Sequence, residues 1–127
     1  MGDRKMRAVR GATTVERDDA ALVVSATREL LAALVRRNAI ADEQVISAIF
    51  TVTPDITSEF PARAARELGW FEVPLLCAME IPAAGGLAHC IRVLLHIETE
   101  LPRSALRHVY LHNAKELRPD LSDETIG

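Results

Sequence analysis

The sequence predicts a single small domain of the α/β (α+β) class. Three observations carry this: one long helical period from Asp19 to Asn38, short apolar runs that alternate with period two, and Gly or Pro punctuation between them. The chain has 127 residues, 49% of them apolar, which is enough to bury one modest core. With three Phe, one Trp and one Tyr, that core must be built from Ala, Val, Leu and Ile. Cores of this kind gain from oligomerisation. The domain is expected to occupy residues 1–127, with 1–5 and 122–127 as flexible ends.

Met6 to Thr13 reads as a strand, with Arg10 on the same face as Met6, Ala8 and Ala12. Asp18 and Asp19 then supply a cap and favourable dipole charge for the long helix, in which Val23, Ala26, Leu30, Ala33, Leu34 and Arg37 follow at helical spacing. Arg36, Arg37 and Asn38 mark its end, where cations suit the carboxyl terminus. Ile46 to Thr53 alternates and stops at Pro54, a second strand. Thr57 or Ser58 caps a short helix, Glu59 to Leu68, with Pro61 in its first turn and Gly69 after its end. Val73 to Ala78 reads as a third strand. After Gly85-Gly86, the run Leu87 to Ile97 suggests a strand buried on both faces. Leu106 to Leu111 makes a fifth strand, Ala114 to Leu117 a helical turn, and the tail from Asp120 is polar.

Charge and spacing exclude several classes of function. A net charge of −3 with a pI near 5.8 gives no basic excess to neutralise phosphates, so a nucleic-acid partner is not expected. The apolar stretches are interrupted too soon for a bilayer span, so no membrane partner is expected either. Cys77 and Cys90 sit in apolar runs without a secretory leader, which predicts reduced thiols in the cytoplasm. The four histidines and two cysteines have no zinc-ligand spacing, and the chain has no Gly-rich phosphate loop, nucleophile elbow or dinucleotide fingerprint. Neither metal nor cofactor is expected.

The informative anomalies are charged residues in apolar surroundings. Arg92 stands in Cys-Ile-Arg-Val-Leu-Leu, either as a structural ion pair or edge residue, or as a fixed cation facing an anionic ligand. Glu80 ends the apolar run Leu-Leu-Cys-Ala-Met-Glu, as a solvated strand end or as a site carboxylate. Cys77 lies three residues before it, so a regular strand would put the two on opposite faces unless it ends or bends near Met79. As a core residue, Cys77 would be a small hydrophobe. Arg63 and Arg66 share one side of the short helix, and Arg118 precedes Pro119; each is ordinarily a surface cation. Arg10, among small residues, and Tyr110, the one tyrosine, have structural readings too. Residue chemistry alone therefore reaches a small domain able to hold a carboxylate-bearing ligand, and not a reaction.

Six blocks, taken together, go further: Val-Arg-Gly-Ala-Thr-Thr-Val-Glu (9–16), Phe-Pro-Ala-Arg-Ala-Ala-Arg-Glu-Leu (60–68), Cys-Ala-Met-Glu (77–80), Gly-Gly-Leu-Ala-His-Cys-Ile-Arg-Val (85–93), Arg-His-Val-Tyr-Leu (107–111) and Leu-Arg-Pro-Asp-Leu (117–121). In this order and register the chain closely resembles the AroH-type chorismate mutases, trimeric monofunctional enzymes. The resemblance implies a mixed five-stranded sheet with one long helix and short helical turns, assembled as a homotrimer with a barrel-like core, an architecture shared with the RidA-like deaminases. It implies rearrangement of chorismate to prephenate, without a cofactor, in clefts between subunits. It also assigns roles: Arg92 to the ether oxygen and a carboxylate, Arg10 and Tyr110 to the enolpyruvyl carboxylate, Glu80 and Cys77 to the ring hydroxyl region. Phe60, Ala62, Arg63 and Arg66 would come from a neighbouring subunit, and Leu117 and Arg118 would cover the mouth. The chain departs from the family pattern at Arg63, where lysine also occurs, and at Leu76, which replaces a smaller polar residue. The rival readings are an enamine or imine deaminase of similar fold and a non-catalytic trimer that binds a carboxylate metabolite.

Overall fold

The computed structural model describes residues 3–117. Five strands form one mixed sheet: β1 (Lys5–Thr14), β2 (Val45–Val52), β3 (Leu75–Met79), β4 (Cys90–Thr99) and β5 (Val109–Tyr110), in the order β3-β2-β4-β1-β5. β4 runs antiparallel to β1 and β2, while β1/β5 and β2/β3 are parallel pairs. Two α-helices complete the fold, α1 (Ala20–Arg37) and the short α2 (Ala62–Glu67), with 3-10 turns at Asp42–Gln44, Arg103–Ala105 and His112–Glu116.

The pleat sorts the strand residues into two faces. On the inner face Val9, Phe50, Val93, Leu95 and Ile97 meet Leu30, Leu31 and Leu34 of α1, all essentially inaccessible to water. Each of those leucines contributes about 1.5–3 kcal/mol by burial. Gly11 lets α1 lie close to β1: a Cβ there would stand 2.9 Å from Leu30 Cδ1 and 3.0 Å from Leu34 Cδ1. Asp19 caps α1 by accepting the Leu22 amide at 3.1 Å. At the other end buried Asn38 bonds the Leu34 carbonyl and both the amide and carbonyl of Arg107, which ties the helix terminus to the approach to β5.

Several boundaries differ from the sequence expectation. Asp18 does not cap α1; its carboxylate crosses to the chain before α2, accepting from the Thr57 amide and hydroxyl and from the Ser58 amide at 3.0–3.1 Å. Held there, Thr57 and Ser58 cannot cap, and α2 begins only after Pro61, without a side-chain cap. The run after Gly85-Gly86 enters its strand only at Cys90, because His89 at φ 50° breaks the extended path. That strand is not buried on both faces: Ile91, Val93, Leu95 and Ile97 are buried, while Arg92 and Glu98 on the alternate face are exposed. The fifth strand has two residues instead of six, since only Val109 and Tyr110 find partners on β1; Leu106 is buried by packing instead.

Candidate active site

The outer face of the sheet carries the charged residues that stood out in the sequence. Cross-strand register makes one row across it, from Tyr110 through Ala12, Arg92 and Thr51 to Ala78. Arg10 lies one pleat repeat from Ala12, about 7 Å along β1. Its Nε donates to the Tyr110 hydroxyl at 3.0 Å, and its backbone amide donates to His108 Nδ1 at 3.0 Å. Tyr110 is itself buried, packed with Ala12, Ala114 and Leu117. Its edge position on the sheet thus sets the place of the Arg10 guanidinium.

Arg92 lies in the middle strand of the five, and its Nε stands 3.0 Å from Glu80 Oε2. Glu80 follows the last residue of β3, yet its amide still bonds the Val52 carbonyl at 2.8 Å, which keeps it against β2. The strand ends at Met79, and the carboxylate reaches the outer face, where Thr51 Oγ1 donates to the same Oε2 at 2.5 Å. The Glu80 side chain is 17% exposed and that of Arg92 44%. The pair is therefore reachable from solvent and not a sealed core ion pair. Two residues before Arg92 on β4, burial raises the Cys90 thiol above its ordinary range, with the Arg92 charge acting in the opposite direction.

Cys77 is not with this group. It packs against the inner-face core and lines a groove of about 330 Å³ with Thr57, Ser58, Phe60, Ala78 and Met79. Phe60 projects from that groove, 69% exposed. Ala62 is buried in the core under α2. Arg63 bonds Glu59 at 2.8 Å and lies 3.7 Å from Glu67, beside a cavity between α1 and α2, and Arg66 is exposed on the same helix. Within one chain the predicted site residues thus form two separate groups: Arg10, Glu80, Arg92 and Tyr110 on the outer face, and Phe60, Arg63, Arg66 and Cys77 around α2 and the inner side of β3. Leu117 joins the first group through its contact with Tyr110 and Ala12; Arg118 lies outside the described residues.

Thr51 escaped the sequence reading. A threonine inside an alternating strand reads as β propensity, and its carboxylate partner is 29 residues away. The only signal available was the expected strand alternation, which sets Thr51 on the face opposite Phe50.

Sequence and fold are both similar to those of known proteins. A family model described as chorismate mutase type I matches residues 6–121. "Chorismate mutase AroH" of Thermus thermophilus is 50% identical over 117 residues, spanning 91% of this chain and 96% of its own. "Chorismate mutase AroH" of Bacillus subtilis (strain 168) is 44% identical over 118 residues, spanning 92% and 93%. A solved structure, "Chorismate mutase from Clostridium thermocellum Cth-682", superposes with a TM-score of 0.86 at 43% identity, covering 87% of this chain and 98% of that one. Matched by the family model over residues 6–121 and similar to these relatives over nearly its whole length, the chain belongs to the type I chorismate mutase family, a family of isomerases.

Proposed function

We propose that the protein rearranges chorismate to prephenate by holding one compact conformer and stabilising the charge that grows on the ether oxygen. The reaction is pericyclic: within one molecule the ether C–O bond breaks as a new C–C bond forms. It calls for no proton acceptor, nucleophile or redox group. The observation that carries the reading is Arg92, anchored by Glu80 at 3.0 Å on the middle strand yet open to solvent. A guanidinium fixed in this way needs no reorganisation as charge develops, and it stays protonated throughout the working pH range. Arg92 reaches the ether oxygen and a carboxylate, Arg10 and Tyr110 hold the enolpyruvyl carboxylate, and Glu80 accepts the ring hydroxyl. The step belongs to phenylalanine and tyrosine biosynthesis, and two free thiols agree with a cytoplasmic setting.

The same proposal includes a homotrimer with its sites between subunits. The outer sheet face exposes Met6 and Leu76 at 62% and 61%, large apolar side chains of the kind that a contact between subunits covers. A neighbouring copy seated there would cover them and bring its α2 group to Arg92. Arg63 and Arg66 then face substrate carboxylates, and the neighbour's Cys77 arrives together with its Phe60 and Ala62. Leu117 and Arg118 close the mouth. Among the described residues no helix is long and apolar enough to cross a membrane.

The decisive experiment follows chorismate absorbance and prephenate formation together, in buffer without cofactor and with a chelator. Turnover under those conditions supports the proposal. Protein that binds chorismate without converting it would overturn it in favour of a metabolite-binding trimer.

A further inference from the structure

We infer that Thr51 is a positioning residue for the reaction, acting through Glu80; this rests on the role given to Glu80 above. The argument starts from register. The β2/β4 ladder sets Thr51 directly opposite Arg92, and the β2/β3 ladder sets it beside Ala78, two residues before Glu80. The Glu80 amide bond to Val52 continues that ladder past the end of β3, so the Glu80 backbone is still indexed to β2. Its side chain has no such index. A carboxylate on three rotatable bonds at a strand end would sample several rotamers, and each would carry the Arg92 Nε contact with it.

Thr51 removes that freedom. Its hydroxyl donates to Glu80 Oε2 at 2.5 Å, and Arg92 Nε meets the same oxygen at 3.0 Å. Threonine suits the task because a β-branched side chain on a strand is restricted at χ1, so the hydroxyl is aimed before substrate arrives. Two donors converging on Oε2 fix the carboxylate plane and leave Oε1 as the oxygen for the ring hydroxyl. They also hold the near end of the Arg92 guanidinium, whose orientation decides how well it meets the ether oxygen. Thr51 touches no reacting atom in this scheme. It sets the geometry of two groups that do.

The test is a double-mutant cycle with Thr51→Val, Thr51→Ser and Glu80→Gln, read as kcat and KM separately, with thermal midpoints measured alongside. Thr51→Val, nearly the same in shape, is expected to lower kcat about ten-fold, the scale of a lost hydrogen bond to a charged group, and to change KM less than about two-fold. Thr51→Ser restores most of the loss. In the Glu80→Gln background Thr51→Val should cost less than in the parent, since the hydroxyl then donates to a neutral amide oxygen instead of a carboxylate. Wild-type kcat in Thr51→Val, with Glu80→Gln impaired, refutes Thr51 alone. Equal losses from Thr51→Val in both backgrounds, or a serine variant as impaired as the valine variant, also refute it. Wild-type kcat in Glu80→Gln overturns the role of Glu80 itself, and the inference falls with it.

Discussion

Replacing Arg92 with alanine tests the proposed chemistry most directly. Its guanidinium faces charge that exists only in the transition state, so its loss should appear in kcat rather than in KM. Removing one preorganised donor of this kind costs about 3–4 kcal/mol, and each decade of rate corresponds to about 1.4 kcal/mol. The expected fall is therefore roughly two to three decades. A second effect pushes toward the upper end: Glu80 loses the cation 3.0 Å from its carboxylate and would then face a dianionic substrate uncompensated. Stability should change little, by up to about 1 kcal/mol, because the pair is part-exposed and Arg92 takes no part in the inner-face core. Lysine at this position should recover only part of the rate, since it keeps the charge but loses the planar fork. The assay is continuous loss of chorismate absorbance at saturating substrate, with a thermal melt as control. An alanine variant with unchanged kcat and a raised KM would refute the reasoning, as would full recovery by lysine.

Arg63→Ala should act mainly on KM, because Arg63 would meet a carboxylate already charged in bound substrate; a kcat loss as large as that of Arg92→Ala would count against this division. Light scattering should give a trimer, and Leu76→Glu on the exposed sheet face should lower both trimer content and activity; a fully active monomer would sink the shared-site proposal. Asp18 supplies a pH test. The Ser58 hydroxyl and then the Thr57 amide hold its carboxyl down to about 2, against an ordinary value of 3.8. A depressed pKa contributes stability that is fully present above 3.8 and is lost as pH falls through about 2. Asp18→Asn should therefore lower the urea midpoint near neutrality, and the gap to the parent should close between about pH 4 and pH 2. A gap independent of pH would assign the effect to something other than the carboxylate charge.

The sequence by itself determined the elements and the unusual residues. The long helix, the alternating strands and the isolation of Arg92 and Glu80 among apolar neighbours are local facts, fixed by spacing and composition. The blocks of family resemblance were equally legible, because they are contiguous in the chain. Tertiary structure decided what depends on partners distant in sequence. It shortened the fifth strand to the two residues that β1 can pair, and it moved Asp18 from a helix cap to the loop before α2, a link across 39 and 40 residues. It also resolved the question left open at Cys77 and Glu80. β3 ends at Met79, but the alternation carries on past it because the Glu80 amide stays paired to β2, so Glu80 meets Thr51 and Arg92 on the outer face while Cys77 remains inside with the Phe60 groove. Alternation along a strand tells which residues share a face, but which residues across the sheet meet them is set by register, and register is a property of the paired strands together.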